Sequence, residues 1–340
     1  MGEGTDGAHP FGTTSTGEPV HRVQLSAGGL TANIITWGAA VQDLRLSGHA
    51  HPLVLGYPDF ASYERFSPHF GATPGRFAGR IDRGRFTLDG ETVQLDRNEG
   101  ENHLHGGTRG TSRRVWTIAD LSGDSVRLEL DDPDGHAGYP GDCRLSCTYT
   151  LTPAGALAVT LTAETDRPTI VNLTNHSYFT LDDSASIVDH ELEMAAEAYL
   201  PTRPDQIPTG EIRSVDGTPF DFRRMRPIRL EEDGEQVLYD HAFCLSRERG
   251  PVRRVASVRS PRSGVRLDVS TSEPGLVFYM GFKLKENAPG LDGMPYGPCA
   301  GLCLEAQGWP DAPNHSAFPS VVLRPGERLV QHTEYAFSRG

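Results

Sequence analysis

The chain has no run of about 18 apolar residues, the length a helix needs to cross a bilayer, so no membrane span is expected in its 340 residues. Cysteine is scarce. Cys143, Cys147, Cys244, Cys299 and Cys303 are too few and odd in number for a disulfide framework. Positive charge is short as well: 32 lysines and arginines stand against 45 acidic residues, a formal net charge of −13. That balance disfavours nucleic acid or an anionic membrane as the main partner. The basic cluster Arg223, Arg224, Arg226 and Arg229 runs into Glu231, Glu232 and Asp233, and reads as a solvated mixed-charge face. The opening stretch "MGEGTDGAHPFG" has no basic start followed by an apolar run, so no signal peptide is expected there. Asp6 stands where a myristoylation signal wants Ser or Thr. The sequons at Asn172, Asn175 and Asn314 then carry no weight. The expectation is a soluble cytoplasmic protein with a neutral ligand.

What the chain does have is alternation. With 38 glycines, 25 prolines and 37% hydrophobic residues, it has many turns and enough apolar mass for a core. In "CRLSCTYTL" the set Cys143, Leu145, Cys147, Tyr149 and Leu151 alternates with polar residues, and "LAVTLTAET" repeats the pattern after the turn "TPAGA". A hairpin with one buried face follows. It makes Cys143 and Cys147 core residues rather than metal ligands. Similar runs recur from "HRVQLSA" to "RLVQHTEYAFS", separated by turn dipeptides such as Asp89-Gly90 and Pro325-Gly326. Only "YPDFASYER" and "RPIRLEED" suggest short helical turns. The fold class expected is all-β: one large antiparallel β-sandwich over residues 1–340, with 1–10 as a loose tail, acting as a monomer or homodimer.

Four segments carry polar residues where a strand should bury apolar ones. In "GENHLHGGTRG", His103 and His105 are two apart, so a strand would project both imidazoles to one face. Such a pair can hold a metal, move protons or fill a polar surface, and no carboxylate follows at metal-ligand spacing. In "TIVNLTNHSYF", Asn172, Thr174, His176 and Tyr178 share a face suited to a polyhydroxylated ligand, or simply to solvent. In "GLCLEAQGWPDAPN", Cys303, Glu305 and Gln307 alternate with Leu302, Leu304 and Ala306. A carboxylate in such an uncharged surround tends toward a raised pKa, as a general base near neutrality requires; the plainer reading is a surface Glu at a strand end. "YDHAFCL" adds Asp240 and His241. "GATPGRFAGRIDRGRF" lacks phosphate-loop spacing, but Arg80 offers a fork of donors for ligand hydroxyls.

Taken in order, "GATPGRFAGRI", "NEGENHLHGGTRG", "VNLTNHSYF", "DHAFCL", "PGLVFYMG" and "CLEAQGWPDAPN" resemble the aldose 1-epimerases, also called galactose mutarotases, over nearly the whole chain. The resemblance implies the family's β-supersandwich and an isomerase with no cofactor and no metal that interconverts anomers of a free hexose such as galactose or glucose. It makes Glu305 the general base, His176 the general acid and His105 a pocket histidine, with Arg80 and Asp240 on sugar hydroxyls; Asn172, Tyr178 and Gln307 are expected beside them. His103 matches no family role and is expected to be structural. Gly79, Met280 and Phe282 depart from the family pattern and put the preferred sugar in question. An epimerase of a phosphorylated or oligomeric sugar, or a sugar binder without turnover, are the alternatives.

Overall fold

The strand Cys143–Leu151 buries every second residue and pairs along its whole length with Ala156–Thr165, from Cys143 opposite Thr165 to Leu151 opposite Leu157. This hairpin sits inside a nine-stranded antiparallel sheet, flanked by Leu329–Arg339 and Val265–Thr271 on one side and Ser125–Asp132 on the other. A six-stranded sheet runs Tyr178–Phe179, Leu302–Gln307, Gly275–Tyr279, Asp240–Cys244, Ala198–Tyr199 and Arg213–Ser214 in spatial order. A four-stranded meander, Ala8–Thr13 to Ala40–Leu46, completes the main layers. One contiguous core joins all three, with Leu145, Cys147 and Val159 from the first, Leu276, Phe278, Leu302 and Leu304 from the second, and Val23, Leu25 and Ile34 from the third. Each such side chain contributes roughly 1.5–3 kcal/mol by leaving water. The expected β-sandwich is the observed architecture.

The computed structural model describes residues 7–67 and 69–340. Of the expected tail, residues 1–6 lie outside the described residues, whereas Ala8 already begins a strand. All five cysteines are free, with Cys143, Cys147 and Cys303 buried. No described helix is long and apolar enough to cross a membrane.

"YPDFASYER" forms the helix Phe60–Phe66, capped by Asp59, whose Oδ1 accepts the Ser62 N–H at 2.9 Å, and anchored by buried Phe60 and Tyr63. "RPIRLEED" is not helical. Pro227 disfavours helical backbone before it and lacks an N–H, and the segment gives two short strands, Arg226–Pro227 and Glu231–Glu232. "TIVNLTNHSYF" is also not one strand. Only Thr169–Ile170 and Tyr178–Phe179 are regular. Between them the backbone bonds an equally irregular segment: Asn172 N–H to the Arg76 carbonyl, Ala78 N–H to Asn172, His176 N–H to Ala72 and Gly71 N–H to His176.

The His103–His105 pair splits for a local reason. The strand His103–Leu104 pairs with Arg80–Ile81 and then stops, because His105, Gly106 and Gly107 all take positive φ (52°, 82° and 90°). The two imidazoles therefore do not share a face. A Cβ on Gly106 would sit 1.6 Å from the Gly75 carbonyl oxygen. Gly106→Ala is thus expected to destabilise the fold by about 3 kcal/mol or more, from steric overlap plus backbone strain, read as a lowered urea midpoint with unchanged slope.

Candidate active site

The strand Leu302–Gln307 is buried at all six positions. Alternation sends Leu302, Leu304 and Ala306 into the core and Cys303, Glu305 and Gln307 to the opposite face. Register then brings distant sequence onto that face. Val277 lies opposite Glu305, Tyr279 opposite Cys303, Ala242 opposite Val277 and Asp240 opposite Tyr279, while Tyr178 flanks Cys303 from the other side. Glu305, Gln307, Val277, Tyr279, Ala242, Asp240 and Tyr178 all line one cleft of about 210 Å³. Its remaining wall includes His69, Gly79, His105 and His176 from non-strand backbone and Arg80 from the short strand Arg80–Ile81.

His176 stands at the centre. Its Nε2 is 3.6 Å from Glu305 Oε1, its Nδ1 is 3.5 Å from Cys303 Sγ, and its ring stacks on Tyr178 with centroids 5.1 Å apart. Burial pushes the His176 imidazole down to about 4. The Glu305 carboxyl is pushed up to about 8 by burial and by the Asp240 charge, with the Arg80 guanidinium pulling the other way. The order of the two pKa values is thereby reversed from that of the free side chains.

His105 lies 5.3 Å, ring to ring, from His176. Burial and the neighbouring His69 and His176 hold it well below the usual histidine range, hence neutral. Its Nδ1 accepts the Gly79 N–H at 3.1 Å, so the single ring proton of the neutral form resides on Nε2. Ligand atoms of His105, His176 and Glu305 lie within 4.8 Å of one another, the one group of three possible metal donors among the described residues. With Nδ1 engaged by Gly79 and Nε2 protonated, His105 offers a hydrogen-bond donor rather than a lone pair, which suits a ligand oxygen better than a cation.

Two charged pairs guard the cleft. Arg80 places Nε and Nη2 on the two oxygens of Glu99, at 2.6 and 2.9 Å, and Lys283 Nζ lies 3.5 Å from Asp240 Oδ2. Seven of the eight residues expected at the site, Glu305, His176, His105, Arg80, Asp240, Tyr178 and Gln307, line the cleft. The eighth does not. Asn172 is fully buried, its Nδ2 donating to the Ala78 carbonyl at 2.9 Å and to Gln307 Oε1 at 3.3 Å, while its Oδ1 accepts the Gly308 N–H at 2.7 Å. It is a clamp between backbone segments that also orients Gln307. His103 turns away from the cleft to Tyr139 Oη at 2.6 Å and the Asp96 carbonyl at 2.8 Å. Of the three departures, only Gly79 lines the cleft; Met280 is buried in the core and Phe282 packs on Tyr279.

Sequence reasoning passed over His69, Glu99 and Lys283. His69 sits 5.0 Å from the His105 ring and 5.7 Å from that of His176, with Nδ1 2.9 Å from Ser112 Oγ. The available signal was adjacency, since His69 immediately precedes "FGATPGRF" and Glu99 lies inside "NEGENHLHGG".

Comparison with known proteins fits this geometry. The aldose 1-epimerase family profile matches residues 21–336. The chain belongs to the aldose 1-epimerase family. It is 42% identical to galactose mutarotase from Rattus norvegicus, over 95% of this chain and 96% of the relative. It is 37% identical to aldose 1-epimerase from Escherichia coli (strain K12), over 94% and 96%. Among solved structures, an aldose epimerase homologue from C. elegans superposes with a TM-score of 0.89 at 31% identity, covering 94% of this chain and 99% of that one. Galactose 1-epimerase from Lactobacillus acidophilus NCFM gives 0.85 at 29% identity, covering 98% of both. Family membership makes the protein an isomerase that interconverts the α and β anomers of an aldose by opening and closing the ring.

The clamp reading of Asn172 has a direct consequence. Asn172→Ala leaves the Gly308 N–H and the Ala78 carbonyl without their side-chain partner, and is expected to lower stability by about 1–3 kcal/mol. Chemical denaturation with activity measured in parallel checks it: the loss should appear in the unfolding midpoint and, through Gln307, in KM more than in kcat.

Proposed function

We propose that the cleft binds one free aldohexose, such as galactose or glucose, and that Glu305 and His176 exchange protons with it. The observation that carries this reading is the buried pair itself, 3.6 Å apart, with Glu305 raised to about 8 and His176 lowered to about 4. Between those values the pair holds one transferable proton. Mutarotation needs one proton removed from the anomeric hydroxyl and one delivered to the ring oxygen, with no net change. At rest the proton of the pair lies on Glu305; the reacting form has it moved to His176 Nε2, and Glu305, then a carboxylate, takes the hydroxyl proton as the C1–O bond to the ring oxygen breaks. The imidazolium of His176 protonates that oxygen. Rotation about the C1–C2 bond of the open aldehyde and closure from the other face, with the roles reversed, gives the second anomer and restores both groups.

The remaining wall residues suit recognition. His105 Nε2–H is a donor for an oxygen on C1 or in the ring. Glu99 engages two of the five N–H groups of Arg80, which leaves donors for sugar hydroxyls. Asp240 and Gln307 add acceptors, and Tyr178, stacked on His176, fixes the plane of the acid while walling the cleft. The charge set favours a neutral sugar. Both cations lining the cleft face carboxylates, and Glu305 adds a third acid, so a phosphoryl group would meet no unpaired positive charge. Five free thiols support a reducing, cytoplasmic setting.

Polarimetry on freshly dissolved α-D-galactose and α-D-glucose under chelator should show acceleration by the wild type. Glu305→Gln and His176→Ala should each lower kcat by roughly 10²–10⁴-fold; full activity in either folded variant refutes its role. Glucose 6-phosphate should react at least about tenfold less efficiently than glucose, given the unfavourable charge set.

The pH dependence follows from the pair. Below about 4 both groups are protonated and no base remains; above about 8 both are deprotonated and no acid remains. A plot of kcat/KM against pH should therefore be bell-shaped with those limits, and Glu305→Gln should abolish the alkaline limb.

A further inference from the structure

Proton exchange at one nitrogen of a histidine requires the other nitrogen to be held in a fixed state. In His176 the nitrogen facing Glu305 is Nε2. The other, Nδ1, lies 3.5 Å from the sulfur of Cys303. Cys303 is fully buried, two residues from Glu305 on the same strand face, and opposite both Tyr178 and Tyr279 in the ladder. Nothing in the ring-opening chemistry uses a thiol, so its packing against the acid calls for a separate explanation.

We propose that Cys303 is the positioning residue of His176: its sulfur accepts the Nδ1 proton, so that Nε2 alone gains and loses the proton exchanged with the sugar. The inference rests on His176 being the acid. A thiol sulfur is a weak acceptor, and that weakness has a use. A carboxylate behind Nδ1 would stabilise the imidazolium and make it a poorer acid, as carboxylate–histidine pairs do when a strong base is wanted. A neutral sulfur orients the ring and fixes its tautomer while leaving the imidazolium acidic, which the weakly basic ring oxygen of a sugar demands. Burial, reinforced by the charges of Glu305 and Asp240, holds the Cys303 thiol well above its usual range, so it stays uncharged, and the Tyr178 hydroxyl also bonds to it. The titratable groups facing the His176 ring are Glu305, Cys303, Tyr178, His69 and His105, while the ring's own backbone carbonyl and the Asp240 charge also favour its proton. Of these side chains, Cys303 is the one in contact with Nδ1.

The test is ¹⁵N NMR of histidine-labelled protein at pH 6, with His176 assigned by loss of its signals in His176→Ala, alongside kinetics of Cys303→Ala and Cys303→Ser. Wild-type His176 should be neutral with its proton on Nδ1. Cys303→Ala should mix the tautomers, lower kcat roughly tenfold as loss of a ring-orienting partner does, leave KM within about twofold, and shift the acid limb of the kcat profile. Cys303→Ser, which restores an acceptor, should recover most of the rate. A wild-type ring protonated on Nε2 overturns the proposal even if the variants fail to fold. So does a folded Cys303→Ala with wild-type tautomer and rate. If His176→Ala itself keeps full activity, the acid assignment fails instead, and the two failures are told apart.

Discussion

A carboxyl group buried beside two imidazoles, on a strand whose other face is solid hydrocarbon core, is the constraint on which the site turns. Glu305 cannot flip away, because the alternation of Leu302–Gln307 is pinned by Leu302, Leu304 and Ala306 in the core and a one-residue slip would reverse every side chain. Nor can it be hydrated as a surface acid would be. Carrying a full charge there costs several kcal/mol, and the structure responds by holding the proton more tightly. The same burial acts with opposite sign on His176, because there the charged form is the protonated one. Burial, helped at Glu305 by the Asp240 charge, thus moves an acid up and a base down until the one proton of the pair rests on Glu305.

Around that pair the charges are arranged so that none is left bare. Arg80 is forked onto Glu99 and Lys283 sits beside Asp240. Asp240 raises Glu305 and Arg80 lowers it, so two residues of the cleft wall also set the proton affinity of the buried carboxyl. A neutral ligand that displaces water without adding charge leaves this balance intact. An ionic one would not, which is why the electrostatics of the wall and the neutrality of an aldose belong to the same argument.

The regular part of this arrangement was legible in the sequence and the irregular part was not. Glu305 and Gln307 share a face by simple alternation, and that reading holds. Alternation failed for "TIVNLTNHSYF", because Asn172 and His176 exchange backbone hydrogen bonds with residues 71–78, an irregular segment, rather than with a strand. Asn172 was accordingly expected in the cleft and is instead spent on the Ala78 carbonyl and the Gly308 N–H. His103 and His105 were separated by a positive φ that a period-two rule cannot foresee. The second helix failed at Pro227. Periodicity singled out His176 and His105 as polar breaks in strand patterns, but only the family resemblance proposed roles for them. His69 and Glu99 needed the tertiary fold, since only the approach of His69 to His105 and of Glu99 to Arg80 gives them meaning.

The division between regular and irregular backbone follows from the chemistry. Side chains two apart on one strand are held about 6.8 Å apart along the chain and point the same way, so one strand cannot bring two of its own groups into contact with each other. A second group must arrive from elsewhere, and non-strand backbone is free to deliver it. His176 does so with a ring whose two nitrogens touch successive positions of the same strand face, Cys303 on one side and Glu305 on the other. The spacing of the strand and the reach of one imidazole match. A Lys or Tyr in the same place has a single polar end and could meet only one of the two. The sheet therefore fixes Glu305 and Cys303 at a set separation, and the irregular segment needs only to lay one planar group across them.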